Sequence, residues 1–452
     1  MSALSWRVMN RVERRRRKER RRERRRLRRT VVGRHPFLSA SLVVLLGLTP
    51  VWVSLGSALT DPGLGSSLPA RFAEWAREHG FSSVVVAAER FWYSHHQPPV
   101  GGRPPKGAIP PVSGAAAAGS SGTAAGSGTS AAGSRAAGGS AGHGGSASDA
   151  RSIGWAARVA LPRPEDIRPI ASPPIPGEGV WHPYGRLVDG VPAVYEAFLR
   201  PDAVHTSLVV GVAWMDPRLL RATLYSGSTI PGGGPYRYTA PITRSAARTL
   251  VAAFNAGFLM DNANGGYYTD GKVIIPLRTG AASFVVYRNG DATVEAWPGP
   301  RALTSSVVAV RQNLDLLVNH GAPVPGLNAN DTTVWGATLG NQIYVWRSGL
   351  GVTADGALVY VGGPGLNITT LAELLVRAGA VRAMELDINT DWVNLTTYRP
   401  SSPTGLASPS NGTEMLPEMS GTPARYFESW WSRDFITMSA RSAPAASPVA
   451  GR

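Results

Sequence analysis

Residues 99–150 do most to limit what this chain can fold into. They begin PVGGRPPKGAIPPVSG and pass into a tract of Gly, Ser and Ala with few charges. Such a tract cannot bury enough apolar surface to offset the entropy of ordering it. It reads as a flexible tether, with a reach of roughly 35–40 Å from ~5–6 Å times the square root of residue number. Residues 441–452 form a similar tail. A packed domain is therefore expected only over 151–440, a length that suits one large domain.

The charge is as unevenly placed as the complexity. Of 46 basic and 30 acidic residues, the first 34 positions hold sixteen and three, so the other 418 positions hold 30 and 27. The pI near 10.7 thus describes a basic arm, residues 1–34, attached to a near-neutral chain. That distribution makes nucleic acid an unlikely partner for the folded part. For the arm itself, anionic lipid is the expected partner, each basic residue near such a surface adding about 1 kcal/mol.

Phe37 to Leu59 carries no charge (FLSASLVVLLGLTPVWVSLGSAL). At ~1.5 Å per residue such a run spans a ~30 Å hydrocarbon core. With the Arg-rich arm directly before it, the positive-inside rule predicts one transmembrane helix, residues 37–59, with a cytoplasmic N-terminus and the main domain outside. A cleaved signal peptide is the competing reading, but the basic region is too long and no A-x-A site follows. Pro50 lies within the span and is expected to kink it.

Residues 60–98 read as a membrane-proximal segment in which LPARFAEWAREHG is an amphipathic helix ending at Gly80. His95 and His96 are adjacent, a weak metal signal better read as a solvated helix end. The chain has no cysteine, so the exported domain is held by its core alone. That suits a bacterial cell-envelope protein.

Within 151–440 strands dominate. Asn289-Gly290 between two β-rich runs predicts a two-residue hairpin turn. A second strand pair is joined through Asp355-Gly356, and HTSLVVGVAWM and RATLYSG are further strands. One helix is marked, with Thr370 and Glu373 as a capping box, LAELLVRA as its body and Gly379 as its stop. VRAMELDIN then reads as a buried strand. The predicted class is α+β, a strand-rich single domain with few helices, preceded by one transmembrane helix.

Within 151–440 there is no G-x-S-x-G elbow, phosphate-binding loop, H-E-x-x-H or thiol. What remains is polar residues at strand ends. AAFNAGF places Asn255 before Gly257, and NGGYYTDGK offers Asp270. IYVWRSGLG ends an aromatic strand on Arg347, followed by Ser348. In AMELDINTDW, Glu385, Asp387 and Asn389 alternate, which on one strand puts all three on one face. A lined cleft and a strand with one solvated face fit this pattern equally well. Arg347 likewise reads either as a ligand-binding cation or as a salt bridge at a sheet edge.

From about Ala252 to Tyr398 the order of blocks resembles the phosphodiester glycosidase family, including its bacterial relatives labelled exopolysaccharide-related. The blocks are AAFNAGF, DGKVIIPLRTGAASFVV, LLVNHGAP, WRSGLGVTADGALVYV and LAELLVRAGAVRAMELD. After Leu-Asp the family usually continues Gly-Gly-Gly-Ser-Ser, whereas this chain has Ile388-Asn389-Thr390-Asp391-Trp392. Asn389 and Thr390 stand where that Gly-rich turn would bring amides and hydroxyls to a ligand.

The resemblance implies hydrolysis of a sugar 1-phosphodiester through an oxocarbenium-like transition state. It implies Asp387 or Glu385 as the carboxylate at the reacting carbon and Arg347 as the phosphate-binding cation. Asn255, Asn389, Asp270, Ser348 and Thr390 would bind substrate. No cofactor and no metal are called for. The expected partner is an envelope glycan or sugar phosphodiester. A non-catalytic glycan- or polymer-binding domain of the same fold is the alternative.

Overall fold

The computed structural model describes residues 16–23, 154–328, 334–335, 343–419 and 422–443, and 47–111 apart from 62–63, 66, 82, 86, 89–90 and 92–96. Most of the basic arm, residues 37–46 of the expected span, His95 and His96, residues 112–150 and residues 444–452 lie outside the described residues. The chain divides into two compact units, Met1–Ala76 and Arg77–Arg452.

In the first unit, Thr49–Thr60 is a helix with Pro50 in its first turn. Proline's missing N–H costs nothing there; Gly47 just before it is also helical, with Leu48 a turn residue between them. Leu68–Ala76 forms the second helix. Trp75 Nε1 donates to Ser54 Oγ at 3.0 Å, and Arg71 Nη1 donates to Leu59 O at 3.0 Å. No described helix is long and apolar enough to cross a membrane.

The second unit holds the strand-rich domain. Its largest sheet has eight strands. Their order is His182–Val188, Val191–Leu199, Val210–Met215, Leu358–Leu366, Val345–Thr353, Ala380–Glu385, Leu316–Asn319 and Ala322–Pro323. A second sheet runs Lys272–Ile275, Tyr267–Thr269, Val307–Gln312, Ala282–Tyr287, Ala292–Ala296. The third runs Gly412–Glu414, Leu395–Tyr398, Leu250–Asn255, Phe435–Ala440, Leu220–Tyr225. Antiparallel pairing throughout, with a few helices set apart, is the α+β architecture expected.

One face of the eight-stranded sheet is covered by the helix Ile368–Arg377. Leu371, Leu374 and Leu375 pack there on Val212, Trp214, Val359, Val361 and Ala383. Each fully buried leucine contributes about 1.5–3 kcal/mol. Gly349 faces the helix, and a Cβ on it would lie 2.9 Å from Leu375 Cδ1, so the glycine permits this close approach. The other face, through Leu350, Tyr360 and Met384, joins Phe254, Leu395 and Ile436 of the third sheet and Phe284 and Val294 of the second in one central core.

Three local expectations need adjustment. The helix cap is Asn367, whose side chain accepts from Thr370 N at 2.7 Å. Thr370 is already inside the first turn, because Asn367 offers a short acceptor three residues before it. Asn289-Gly290 does turn a hairpin, but with three loop residues. Gly290 takes φ +86° while Tyr287 and Asp291 close the loop, a type I turn with a bulge. Two-residue turns are found at Asp189-Gly190, Asp270-Gly271 and His320-Gly321, each with both φ positive. Finally, residues 99–111, expected in the tether, are packed: Gly101 N donates to Val204 O at 2.7 Å, and Ile109 is buried in the central core. Prolines preset φ and lessen the ordering entropy of this stretch.

Candidate functional site

The site is assembled where the Ala380–Glu385 strand runs out. Leu386 N donates to Ser348 O and Ser348 N donates to Asp387 O, both at 2.8 Å. Two residues thus oppose one, and the extra residue breaks the two-residue alternation. Glu385 stays on the helix-covered face with Arg347. Asp387 turns to the third sheet, where Asn255 ends its strand.

On the helix side, Arg347 Nη1 donates to Glu385 Oε1 at 2.5 Å. Its Nε donates to Leu366 O at 3.0 Å and Nη1 also to Trp335 O at 3.4 Å. Arg347 is 2% exposed and Glu385 fully buried. Burial pushes the Glu385 carboxyl up to about 7, the Arg347 guanidinium opposing it and the Asp387 charge adding to it.

On the other side, Asn255 Nδ2 donates to Asp387 Oδ2 at 3.0 Å and to Gly257 O at 3.2 Å. Asp387 Oδ1 accepts from the amides of Ile388 (2.8 Å) and Asn389 (3.0 Å). Ser348 Oγ meets the Asp387 main chain, accepting from its N at 3.2 Å. Asn255 Oδ1 is buried with no hydrogen-bond partner among the described residues, an acceptor suited to a hydroxyl donor. Burial raises the Asp387 carboxyl to about 6. The Arg433 charge, the two amides and Asn255 act against that rise.

The loop after Asn255 is held by residues that carry no local motif. Arg311, fully buried, donates Nε to Asp434 Oδ2 at 2.9 Å and Nη1 to Asn313 Oδ1 at 3.2 Å. It also bonds Phe258 O. Asn313 Nδ2 reaches Glu385 O at 2.8 Å, and Ala256 N donates to Asp434 O at 3.1 Å. A Cβ on Gly257, at φ +151°, would lie 2.9 Å from Arg311 Cζ. AAFNAGF needs its glycine because a guanidinium passes there.

The expected set is thus brought together in two groups, Arg347 with Glu385 and Asn255 with Asp387, joined through Ser348. Asn389 lies in the turn over Asp387, its Oδ1 accepting from Asp391 N at 2.9 Å, and Thr390 beside it is exposed. Asp270 stands apart as the exposed hairpin-turn residue, accepting from Arg237 N at 2.7 Å. Two surface hollows, of about 450 and 480 Å³, are lined by Arg103, Lys106 and prolines in one case and by Trp155, Arg218, Arg221 and Arg441 in the other. Neither includes the expected site residues. Among the described residues no group of three or more His, Asp or Glu is placed to hold a metal.

Sequence reasoning passed over Arg433 and Trp392. The Arg433 guanidinium lies 4.3 Å over the Trp392 ring. Both precede or follow site elements by only a few residues, and the WWSRD run before the final strand was the available signal.

The family model for phosphodiester glycosidases matches residues 248–387, from the strand that ends at Asn255 to Asp387 itself. The chain resembles the phosphodiester glycosidases. That family is one of hydrolases. Its match spans both residue groups and stops short of Trp392 and Arg433. Among solved structures, the chain is similar to the auto-inhibited catalytic domain of zebrafish N-acetylglucosamine-1-phosphodiester alpha-N-acetylglucosaminidase. Identity is 13% over 59% of this chain and 89% of that one, with a TM-score of 0.36. A hypothetical protein from Synechocystis is 14% identical over 57% of this chain and 64% of that one, TM-score 0.29. No curated protein matches the chain in sequence.

Proposed function

We propose that the chain is a membrane-anchored hydrolase that cleaves a sugar 1-phosphodiester of an envelope glycan, with Asp387 as the carboxylate at the reacting carbon. The observation that carries this reading is the Asn255–Asp387 hydrogen bond, which joins the two ends of the family-matched segment at one buried carboxylate. In the reaction, the bond between sugar C1 and the phosphate oxygen breaks and its electron pair leaves with the phosphomonoester. A water oxygen bonds C1 and releases its proton. The phosphate is a weak base, so little acid assistance is needed. Anionic Asp387 stabilises the positive charge that develops at the ring. Asn255 holds the carboxylate through Nδ2 and offers Oδ1 to a sugar hydroxyl.

The anchor in this reading is the uncharged run 37–59 behind the basic arm, with anionic lipid beneath that arm and the domain outside the cell. Protease added to intact cells should then remove the domain and leave the arm protected; a protected domain would sink this orientation. For the chemistry, full-length protein incubated with a panel of sugar 1-phosphodiesters should release reducing sugar and phosphomonoester in equal amounts. Absence of turnover on every member contradicts it.

One observation favours a second reading, a non-catalytic glycan-binding domain. The Ile388 and Asn389 amides close onto Asp387 Oδ1 where relatives usually carry a Gly-rich turn. Binding of a polysaccharide without turnover would establish that alternative.

A further inference from the structure

We propose that the hollow beside the Pro-rich stretch 102–109 is a second anion site, which holds a phosphate of a polymeric substrate away from the bond that Asp387 faces. It rests on the reading of the substrate as a phosphodiester of an envelope glycan.

The hollow, of about 450 Å³, has one wall from residues 102–109 and another from residues 172–176. Proline fixes φ, and prolines stand in both walls, so the cavity is stiff before a ligand arrives. Close contacts seat the first wall on the domain. Thr206 Oγ1 donates to Gly102 O at 2.9 Å. A Cβ on Gly177, at φ +86°, would lie 2.1 Å from Pro110 O, so only glycine lets the two backbones meet there.

Arg103, Lys106 and Arg200 line this hollow, and no Asp or Glu does. Arg200 is the buried one, at 5% exposed. Glu178 accepts from its Nε at 3.0 Å and its Nη2 at 2.8 Å, and Nη2 also reaches Ala171 O and Pro173 O. Those bonds hold the guanidinium along one edge. Its Nη1 makes no hydrogen bond to a described residue and is not sealed from solvent, so that edge is left to a ligand. Arg103 and Lys106 stand exposed, with no hydrogen bond or ion pair among the described residues. Glu178 matches the Arg200 charge, and the other two charges are uncompensated. A fixed guanidinium edge with two further cations and no carboxylate suits phosphate oxygens.

The sheet register relates this hollow to Asp387. One row of paired residues crosses the eight-stranded sheet through Phe198, Gly211, Gly362 and Ser348, and Ser348 N donates to Asp387 O. Arg200 follows the end of the strand Val191–Leu199, and Asp387 follows the end of Ala380–Glu385. Both therefore lie at the same end of the sheet, four strands apart in its order, or roughly 20 Å at the usual strand spacing. Ile109 and Ile175, which also line the hollow, pack on the central core, on the side of the sheet that Asp387 faces. A monomeric sugar 1-phosphodiester cannot bridge that span, whereas a phosphodiester-linked chain of several repeats can. Holding one repeat in the hollow raises the local concentration of the next ones near Asp387.

The test must be resolved by site, because the basic arm also attracts polyanions. Lysine acetylation of full-length protein is followed by mass spectrometry with and without inorganic polyphosphate. Under saturating polyphosphate Lys106 should be acetylated about tenfold more slowly. Lys272, exposed on the second sheet, should react at an unchanged rate. Arg103→Gln should remove most of the protection and Arg103→Lys should keep it. Unprotected Lys106, or equal protection of Lys272, overturns the proposal. Stronger protection of Lys106 by phosphatidylglycerol vesicles than by polyphosphate also overturns it and makes the hollow a membrane contact. The second readout is kinetic. In Arg103→Gln/Lys106→Gln, KM for a phosphodiester-linked oligosaccharide should rise about tenfold more than KM for a monomeric sugar 1-phosphodiester. An equal change in both KM values, with turnover intact, overturns the proposal and leaves the hydrolase reading standing. No turnover of either substrate, with Lys106 still protected, leaves the anion site standing and overturns the hydrolase reading instead.

Discussion

The two faces of the eight-stranded sheet receive carboxylates two residues apart, Glu385 and Asp387, and treat them differently. On the helix face Glu385 is locked to a buried arginine beneath packed leucines. On the central face Asp387 is held by an amide side chain and by main-chain N–H groups, beside a stacked arginine and an unsatisfied acceptor on Asn255. One extra residue opposite Ser348 makes the difference. Two carboxylates that look equivalent in AMELDIN therefore divide into a structural ion pair and a candidate reacting group.

The largest expected effect comes from breaking the structural side. Arg347→Met should destabilise the domain by about 3–5 kcal/mol, because it leaves a buried carboxylate uncompensated. Adding Glu385→Leu should recover much of that loss in denaturant titration. If the single variant is neutral, the pair is not the structural element described.

A second effect lies on the central face. Glu196 is fully buried there, near Glu414 and Tyr184, and burial pushes its carboxyl up to about 8. A folded-state pKa above the usual 4.5 means the native state holds the proton longer than the unfolded chain. Glu196 therefore contributes stability that is complete below about pH 4.5 and is lost as pH rises through about 8. The loss is on the order of a few kcal/mol. Glu196→Gln should flatten the stability profile between those limits, whereas an unchanged slope would assign the loss to other groups.

The reacting side should show in rate, not stability. With Asp387 needed as the anion and its carboxyl raised to about 6, kcat/KM should fall about tenfold per pH unit below that point. A profile flat down to pH 4.5 removes Asp387 from the rate law. The smallest effect is expected at the helix that covers the structural pair. Asn367→Ala removes one cap bond and should cost about 1 kcal/mol, measured by denaturation, with no change in KM. A shift in KM would mean the helix face takes part in binding.

Strand pairs, the Asp355-Gly356 hairpin, the helix ending at Gly379 and the polar strand ends were legible because each has a local signal. Period-two alternation, turn glycines and an amphipathic repeat do not depend on distant partners. The division of Glu385 from Asp387 was not legible, since a bulge opposite Ser348 is set by how two strands close and leaves no mark in MELDIN. Arg433 and Asp434 were hidden for a related reason. Their partners Trp392, Asp387 and Arg311 lie 41 to 123 positions away, and only the three-sheet core brings them together. The packing of residues 99–111 was missed because composition alone does not reveal that Ile109 finds the core.

The central claim is that Asp387, and not the Arg347–Glu385 pair, carries the chemistry. The most direct measurement is kcat on a sugar 1-phosphodiester for wild type and Asp387→Asn, with denaturation midpoints taken on the same preparations. Loss of a charge needed mainly in the transition state should lower kcat by about two orders of magnitude or more, with midpoints within experimental error. Undiminished turnover in Asp387→Asn, or a loss fully matched by unfolding, would contradict the account.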